Sequence, residues 1–324
     1  MSPGATLFLR VVSRATTLTQ MLDRTLTHAK TLLQANTGKI KQLAACLNPD
    51  STSYTPTVTG GIDADVLTAI VKAQALAEEE YAAHRPVLVL ISGHALVSVT
   101  AAPDVRALDS ENVCIVVGCD QVNAPKVPAI GTALGTLSFG QVHENVGWVA
   151  KFNLTGNGSF TDAGLPFGAT GTAMAAVPDA DQSSLNTKGY WFARQHAGLD
   201  GFYWNDDHTA TAITSDYAYA ANVRVVNKAT RVIRPALLPL LMGPLYLQPT
   251  GKMRPTTVGD IEARGKTAID KQLLSNGEVS AADVYCDPDQ DVQTTSTVQV
   301  AFRLVQVGTA RTISATVGFV TSIS

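Results

Sequence analysis

Two short runs leave this chain little freedom in what it can fold into. Val87-Leu-Val-Leu-Ile-Ser92 and Val113-Cys-Ile-Val-Val-Gly118 are apolar almost throughout, whereas a strand with one solvated face alternates apolar and polar residues. Short runs without alternation are strands covered on both faces, the environment of a parallel sheet. The stretch before the first run supplies a connecting helix. Asp63 is placed to cap it, Val66, Leu67, Ile70, Val71 and Leu76 share a face, Glu78-Glu79-Glu80 lies near its end, and Pro86 stops it. The small-residue stretch 126–140 predicts a further helix. The fold class expected is α/β, mixed with α+β character: a core sheet with flanking helices.

The remaining segments extend this pattern. Residues 6–12 predict a strand. Leu18, Met21, Leu22, Leu26, Ala29 and Leu33 predict a helix over 16–35. Residues 154–187, rich in Thr, Gly, Asp and Ala, are expected to be loops with short helical turns. Strands are expected at 189–193 and 201–204, and helices at about 217–241 and 258–275. Asn276-Gly277 then breaks the chain and 282–286 is expected to be a strand. Residues 297–306 alternate, with Val298, Val300, Phe302 and Leu304 on one face. A turn at Gly308 leads to 312–321, where Ile313, Ala315, Val317 and Phe319 alternate again. A well-patterned strand this late needs a partner edge, in its own subunit or in another. Ile313, Ala315, Val317 and Phe319 are therefore the candidate site residues, for pairing with such an edge. The domains expected are an α/β core over 1–150, a loop-rich connector over 151–187, and a C-terminal α/β domain with a strand arm over 188–324.

Composition narrows the function classes. The 324 residues carry 24 Lys and Arg against 27 Asp and Glu, a net charge of -3, with 45% hydrophobic but only 6% aromatic residues. That balance gives no general attraction to nucleic acid or to an anionic membrane, and it disfavours an aromatic-lined ligand pocket. The apolar stretch 235–244 is too short to span a bilayer and is interrupted by Pro235, Pro239 and Pro244, so no membrane span is expected. The first ten residues lack a basic start and a long apolar middle, so they are not expected to act as a signal peptide. Cys46, Cys114, Cys119 and Cys286 lack a disulfide-framework spacing and are expected to be reduced thiols of a cytoplasmically made protein.

Chemical motifs are few. Gly265-Lys266-Thr267 imitates the end of a phosphate loop, but Asp260 stands where the first glycine belongs and the run lies inside an expected helix. Asp287, Asp289 and Asp291 imitate the start of a calcium loop. Val292 stands where a glycine bend is required and Val298 where a bidentate Glu is required, so a solvated acidic turn is expected. Asn205-Asp206-Asp207-His208 offers metal-ligand atoms but is expected to be a polar turn. No Gly-x-Ser-x-Gly elbow occurs, and Ser138 sits at the wrong spacing. Ser92-Gly93-His94, at the end of a buried strand, is where an α/β enzyme would place its site. It is the best catalytic candidate, yet the expectation is that the chain is not an enzyme and takes no cofactor or metal.

Several stretches of the second half carry a family likeness. They are Gly198-Leu-Asp-Gly-Phe-Tyr-Trp-Asn-Asp-Asp207, Ser215-Asp-Tyr-Ala-Tyr219, Asn222-Val-Arg-Val-Val-Asn-Lys-Ala-Thr-Arg-Val-Ile-Arg234, Asn276-Gly-Glu-Val-Ser280 and Val307-Gly-Thr-Ala-Arg-Thr-Ile313. In order and spacing they resemble the tail sheath proteins of contractile phage tails and related injection systems, in outline over 60–324 and most closely over 188–324. The resemblance implies a structural subunit, located in a virion tail and assembled in the host bacterial cytoplasm. Its implied partners are copies of itself in stacked hexameric rings, an inner tail tube protein, and baseplate and terminator proteins. Strand exchange would tie the rings together through contraction, with energy stored in the extended lattice and no nucleotide used. The alternatives are another tail component (tube, cap or baseplate) or an α/β enzyme using Ser92 and His94. In one respect the chain departs from the family, which carries an extended N-terminal arm ahead of its first core strand. Here a strand is expected from residue 6, and the start is expected to be short or truncated.

Overall fold

A computed structural model describes residues 4–47, 53–120, 127–156, 160, 162–167, 171–315 and 317–319. Its centre is a four-stranded parallel sheet. Gln42–Ala45 pairs with Leu88–Ser92, which pairs with Val113–Val116, which in turn pairs with Tyr190–Trp191. The two unalternating runs are the central strands, and Leu88–Ser92 is buried at all five positions, as their composition requires. Glycine matters where the chain leaves this sheet. A Cβ on Gly118 would lie 2.8 Å from the Cα of Phe192, so only a hydrogen lets the two backbones pass.

The helix Ala64–Ala82 begins where it was expected, with the Asp63 carboxylate accepting from the Asp65 amide. Val66, Ile70 and Leu76 face the core together with Ala69, Ala73 and Ala77, while Val71 is exposed. Of the three glutamates near the end of this helix, Glu80 is buried, and both carboxylate oxygens accept from Arg85, at 2.8 and 2.9 Å. The expected helix over 16–35 is instead two, Leu18–Leu22 and Ala29–Ala35. Asp23 ends the first by accepting from both the amide and the hydroxyl of Thr25. Thr17 opens it with a reciprocal capping box to Gln20.

Two further expectations are corrected. Residues 6–12 form no strand; Leu7, Leu9 and Val11 are exposed, and Phe8 packs on the core. Residues 154–187 are not all loop: Ala163–Leu165 and Thr172–Ala173 join Cys119–Asp120 in a small antiparallel sheet, and Asp179–Thr187 is a helix. Tyr190–Trp191, within the strand expected at 189–193, are the fourth strand of the central sheet.

A second apolar cluster lies C-terminal to the first. The helix Ala220–Leu237 enters the main core with Ala220 and Val223, then gives Val225 and Ala229 to the second cluster. There it meets the helix Pro255–Ile269 and the strands Val279–Cys286 and Val300–Gln306. Among the described residues no disulfide joins Cys46, Cys114, Cys119 or Cys286. Among the described residues, no helix is long and apolar enough to cross a membrane.

Candidate functional site

The alternation in 297–306 becomes one arm of a hairpin, but not with the segment expected. Val300–Gln306 pairs antiparallel with Val279–Cys286, placing Ala282 opposite Leu304, Val284 opposite Phe302 and Cys286 opposite Val300. Those six positions form the inward face, where Val284, Phe302 and Leu304 pack with Ile269 and Leu273. On the other face Tyr285 and Val305 are exposed. Contact with the helix is close: a Cβ on Gly265 would lie 2.8 Å from the Phe302 ring. The turn carrying Asp287, Asp289 and Asp291 is exposed, as expected.

Among the described residues this sheet has only two strands, so both outer edges carry unpaired backbone groups along most of their length. At one end Glu262 accepts from the Cys286 amide. An isolated two-stranded ribbon with open edges invites further strands.

Beyond Gln306 the chain forms no strand in the described residues. Ile313, Val317 and Phe319 are among the most exposed apolar side chains, at 87, 94 and 109%, and Ala315 is exposed too. The four candidate residues are thus brought to no site within the subunit. The period-two apolar pattern of Ile313, Ala315, Val317 and Phe319 is left in water.

One residue of this segment is not free. The Arg311 Nε donates to Asp206 at 2.9 Å, and its guanidinium carbon lies 3.4 Å from the centroid of the Tyr219 ring. Sequence reasoning treated the Asn205–His208 segment as a polar turn, but Asp206, Asp207 and His208 are all buried. The Asn145 side-chain amide donates to Asp206 at 2.5 Å and to Asp207 at 2.6 Å. Asp207 also accepts from the Ala221 amide at 2.7 Å, which caps the helix Ala220–Leu237 from a distance. Because Arg106 can only donate, its 2.8 Å contact makes His208 Nδ1 an acceptor. The proton is then on Nε2, which donates to Asn186 at 3.0 Å. Burial first, with Arg106 and Arg311 assisting, pulls His208 down to about 4 against the opposing charge of Asp206. Burial and then the Asp206 charge push Asp207 up to about 8. Burial also works against the charge on Asp206, but His208, Arg311 and the bond from Asn145 hold it below the usual carboxylate range.

The Ser92–His94 candidate does not form a catalytic pair. Ser92 is fully buried, and neither its Oγ nor His94 Nδ1 has a hydrogen-bond partner among the described residues. A nucleophile needs its base within hydrogen-bond reach. Asp63, the nearby carboxylate, accepts instead from Tyr54 at 2.5 Å. Two clefts of about 270 and 290 Å³ are lined by other residues.

Comparison with known proteins gives two kinds of match. Residues 1–208 match the family model described as DUF2586, N-terminal domain, and residues 216–324 match DUF2586, C-terminal domain. Among solved structures, a chain of the 6-fold symmetrised anti-feeding prophage baseplate is 16% identical. The match covers 90% of this chain and 71% of that one, with a TM-score of 0.55. The anti-feeding prophage helical sheath in its contracted state is 18% identical, over 90% and 73% of the two chains, with a TM-score of 0.53. The contracted PVC sheath complex of an extracellular contractile injection system is 13% identical, over 78% and 68%, also with a TM-score of 0.53. The fold described above is therefore shared with sheath proteins of contractile injection systems. No curated protein matches the sequence.

Proposed function

The chain belongs to the DUF2586 family, and we propose that it is a structural subunit of a contractile tail sheath. In this reading, copies form stacked six-fold rings around an inner tube and contract to drive that tube through a target envelope. The observation that carries it is the presence, in one subunit, of an open-edged hairpin and an exposed segment whose apolar residues Ile313, Ala315, Val317 and Phe319 alternate without a partner strand among the described residues. Each is what the other lacks. Edge and strand do not meet within the chain, so the satisfying arrangement is between copies. Backbone hydrogen bonds made this way tolerate large rigid-body movement of the domains they join. The exposed Leu7, Leu9 and Val11, also at period two, would offer a second strand of the same kind. Sharing a fold with sheath proteins supports the reading, as does the unpaired geometry of Ser92 and His94, which favours a structural role over catalysis. On this reading the protein belongs to a tail assembly and is made in the host cytoplasm. Its further partners are the tube protein and the baseplate and terminator proteins.

The test is negative-stain electron microscopy of the purified chain at high concentration, with a co-expressed tube protein, beside a variant truncated after Arg311. The full chain forms hollow tubes or stacked rings and the truncated chain stays unassembled. Normal tubes from the truncated chain would remove strand addition from the account, and no polymer from the full chain would remove the sheath. The likeness to a baseplate chain favours a second reading, a ring member at the tail end, for which single rings that never stack are the expected image.

A further inference from the structure

The C-terminal segment is anchored at one residue and loose beyond it. Ile313, Val317 and Phe319 are bare to solvent, whereas the Arg311 side chain, two residues before Ile313, is only 33% exposed. Its guanidinium is engaged on more than one side. Asp206 accepts from Nε at 2.9 Å, Asp207 lies 3.5 Å from the terminal nitrogen, and the Tyr219 ring stacks beneath at 3.4 Å. Carboxylate in the plane and an aromatic face below are what this cation prefers and what a lysine ammonium cannot use equally well.

The members of the pocket are tied together by bonds that do not involve the segment filling it. The Asp206 and Asp207 side chains are 9 and 0% exposed. They are held together by Asn145, and Asp207 is fixed to the start of the helix Ala220–Leu237 through the Ala221 amide. Other nearby cations donate their hydrogen bonds elsewhere. Arg106 is directed at His208 and the Asn186 carbonyl, and Arg224 at the carbonyls of Leu137 and Gly140. His208 accepts from Arg106 and is neutral. Asp206 is the charged member of the pair, since burial and the Asp206 charge push Asp207 up to about 8; Arg311 supplies its counter-charge at 2.9 Å, and a buried carboxylate without one is costly.

We propose that Asp206, Asp207 and Tyr219 form a guanidinium receptor that clamps the C-terminal segment at Arg311, making 307–311 a fixed root and Thr312 the first residue of the exchangeable strand. The first part stands on the subunit geometry alone; the second rests on the sheath reading. With the clamp closed, the strand leaves the subunit from one point beside the helix Ala220–Leu237. With it open, five more residues join the flexible segment, and the local concentration of the strand at a neighbour's edge falls.

Trypsin reads the clamp directly, because it must take the Arg311 side chain into its own pocket to cut before Thr312. In the intact chain, cleavage after Arg311 is at least tenfold slower than after the exposed Arg10. Asp206→Asn and Tyr219→Leu each accelerate the Arg311 cut at least tenfold without changing the Arg10 rate or the melting temperature by more than a few degrees. Arg311→Lys, which keeps the charge and the fold, is cut at 311 several-fold faster than the parent. In assembly, Asp206→Asn and Arg311→Lys need a several-fold higher protein concentration to polymerise. Equal cleavage after Arg10 and Arg311 in the parent, or an Arg311 rate indifferent to all three variants, overturns the clamp. Unchanged assembly by variants that have lost protection overturns its positioning role. Failure of the sheath reading looks different: the full chain then forms no polymer with the co-expressed tube protein while the protease pattern stands.

Discussion

His208 offers a calculable perturbation of the buried network. The folded site holds it neutral until about pH 4, against an ordinary value of 6.5, chiefly because it is buried and further because Arg106 and Arg311 face it. Below 6.5 the unfolded chain takes up a proton that the folded site refuses. The unfolded state then binds more protons, and stability falls as pH falls, down to about 4. At roughly 1.4 kcal/mol per pH unit for one proton, His208 alone removes about 3 kcal/mol between pH 7 and pH 4. His208→Gln isolates this contribution, because a glutamine oxygen can accept from Arg106 and its amide can donate to Asn186, copying both bonds of the neutral imidazole. Urea denaturation at low protein concentration, followed by the fluorescence of buried Trp191 and Trp204, measures both proteins at pH 7 and pH 4. Titrating groups other than Asp206 are common to both and cancel in the difference; Asp206 feels a charged His208 only in the parent, so the difference reports the His208–Asp206 pair. The parent loses about 3 kcal/mol more than the variant on acidification. Parallel losses, or a larger loss in the variant, would refute the assignment of a neutral, Nε2-protonated His208.

Two further outcomes concern packing and the rejected catalytic site. Gly265→Val drives a side chain into Phe302 and Val284; it costs about 1–3 kcal/mol by overpacking, read as a lower melting temperature, and polymerisation fails because the hairpin is lifted from its helix. Ser92→Ala removes a fully buried hydroxyl that has no partner, so the melting temperature stays level or rises, by up to about 1 kcal/mol of stability. With His94→Ala added, assembly is unchanged, and loss of a measurable hydrolytic activity in that variant would restore the enzyme reading.

What the sequence disclosed follows from the range of the interactions involved. Leu88–Ser92 and Val113–Val116 were legible because double-sided burial writes itself into every residue of a strand. The capped helix after Asp63 was legible because its cap is local. Gln42–Ala45 went unseen, since four residues on a sheet edge carry too little pattern to distinguish them. The break at 23–28 was missed because Asp23 stops the first helix through side-chain bonds while the apolar spacing continues past it. At the candidate site, the alternation of Val300, Phe302 and Leu304 was plain. The identity of their partner strand was not, because Val279–Cys286 and the 312–321 segment have equally suitable patterns and only the intervening turn and the Gly265 contact choose between them. The Arg311 anchor joins residues about a hundred positions apart, and nothing in either local pattern announces it. A turn with two acids and a histidine among aromatic residues was the available signal, and it was interpreted as solvated when it is buried.

The helix Ala220–Leu237 begins in one apolar cluster and ends in another, which gives it a mechanical meaning. Its 18 residues make a rod of about 27 Å. Tension applied by neighbours to the hairpin at one end arrives at the central sheet at the other as an axial load. Such a load is shared by a whole ladder of helix hydrogen bonds and does not peel strands apart singly.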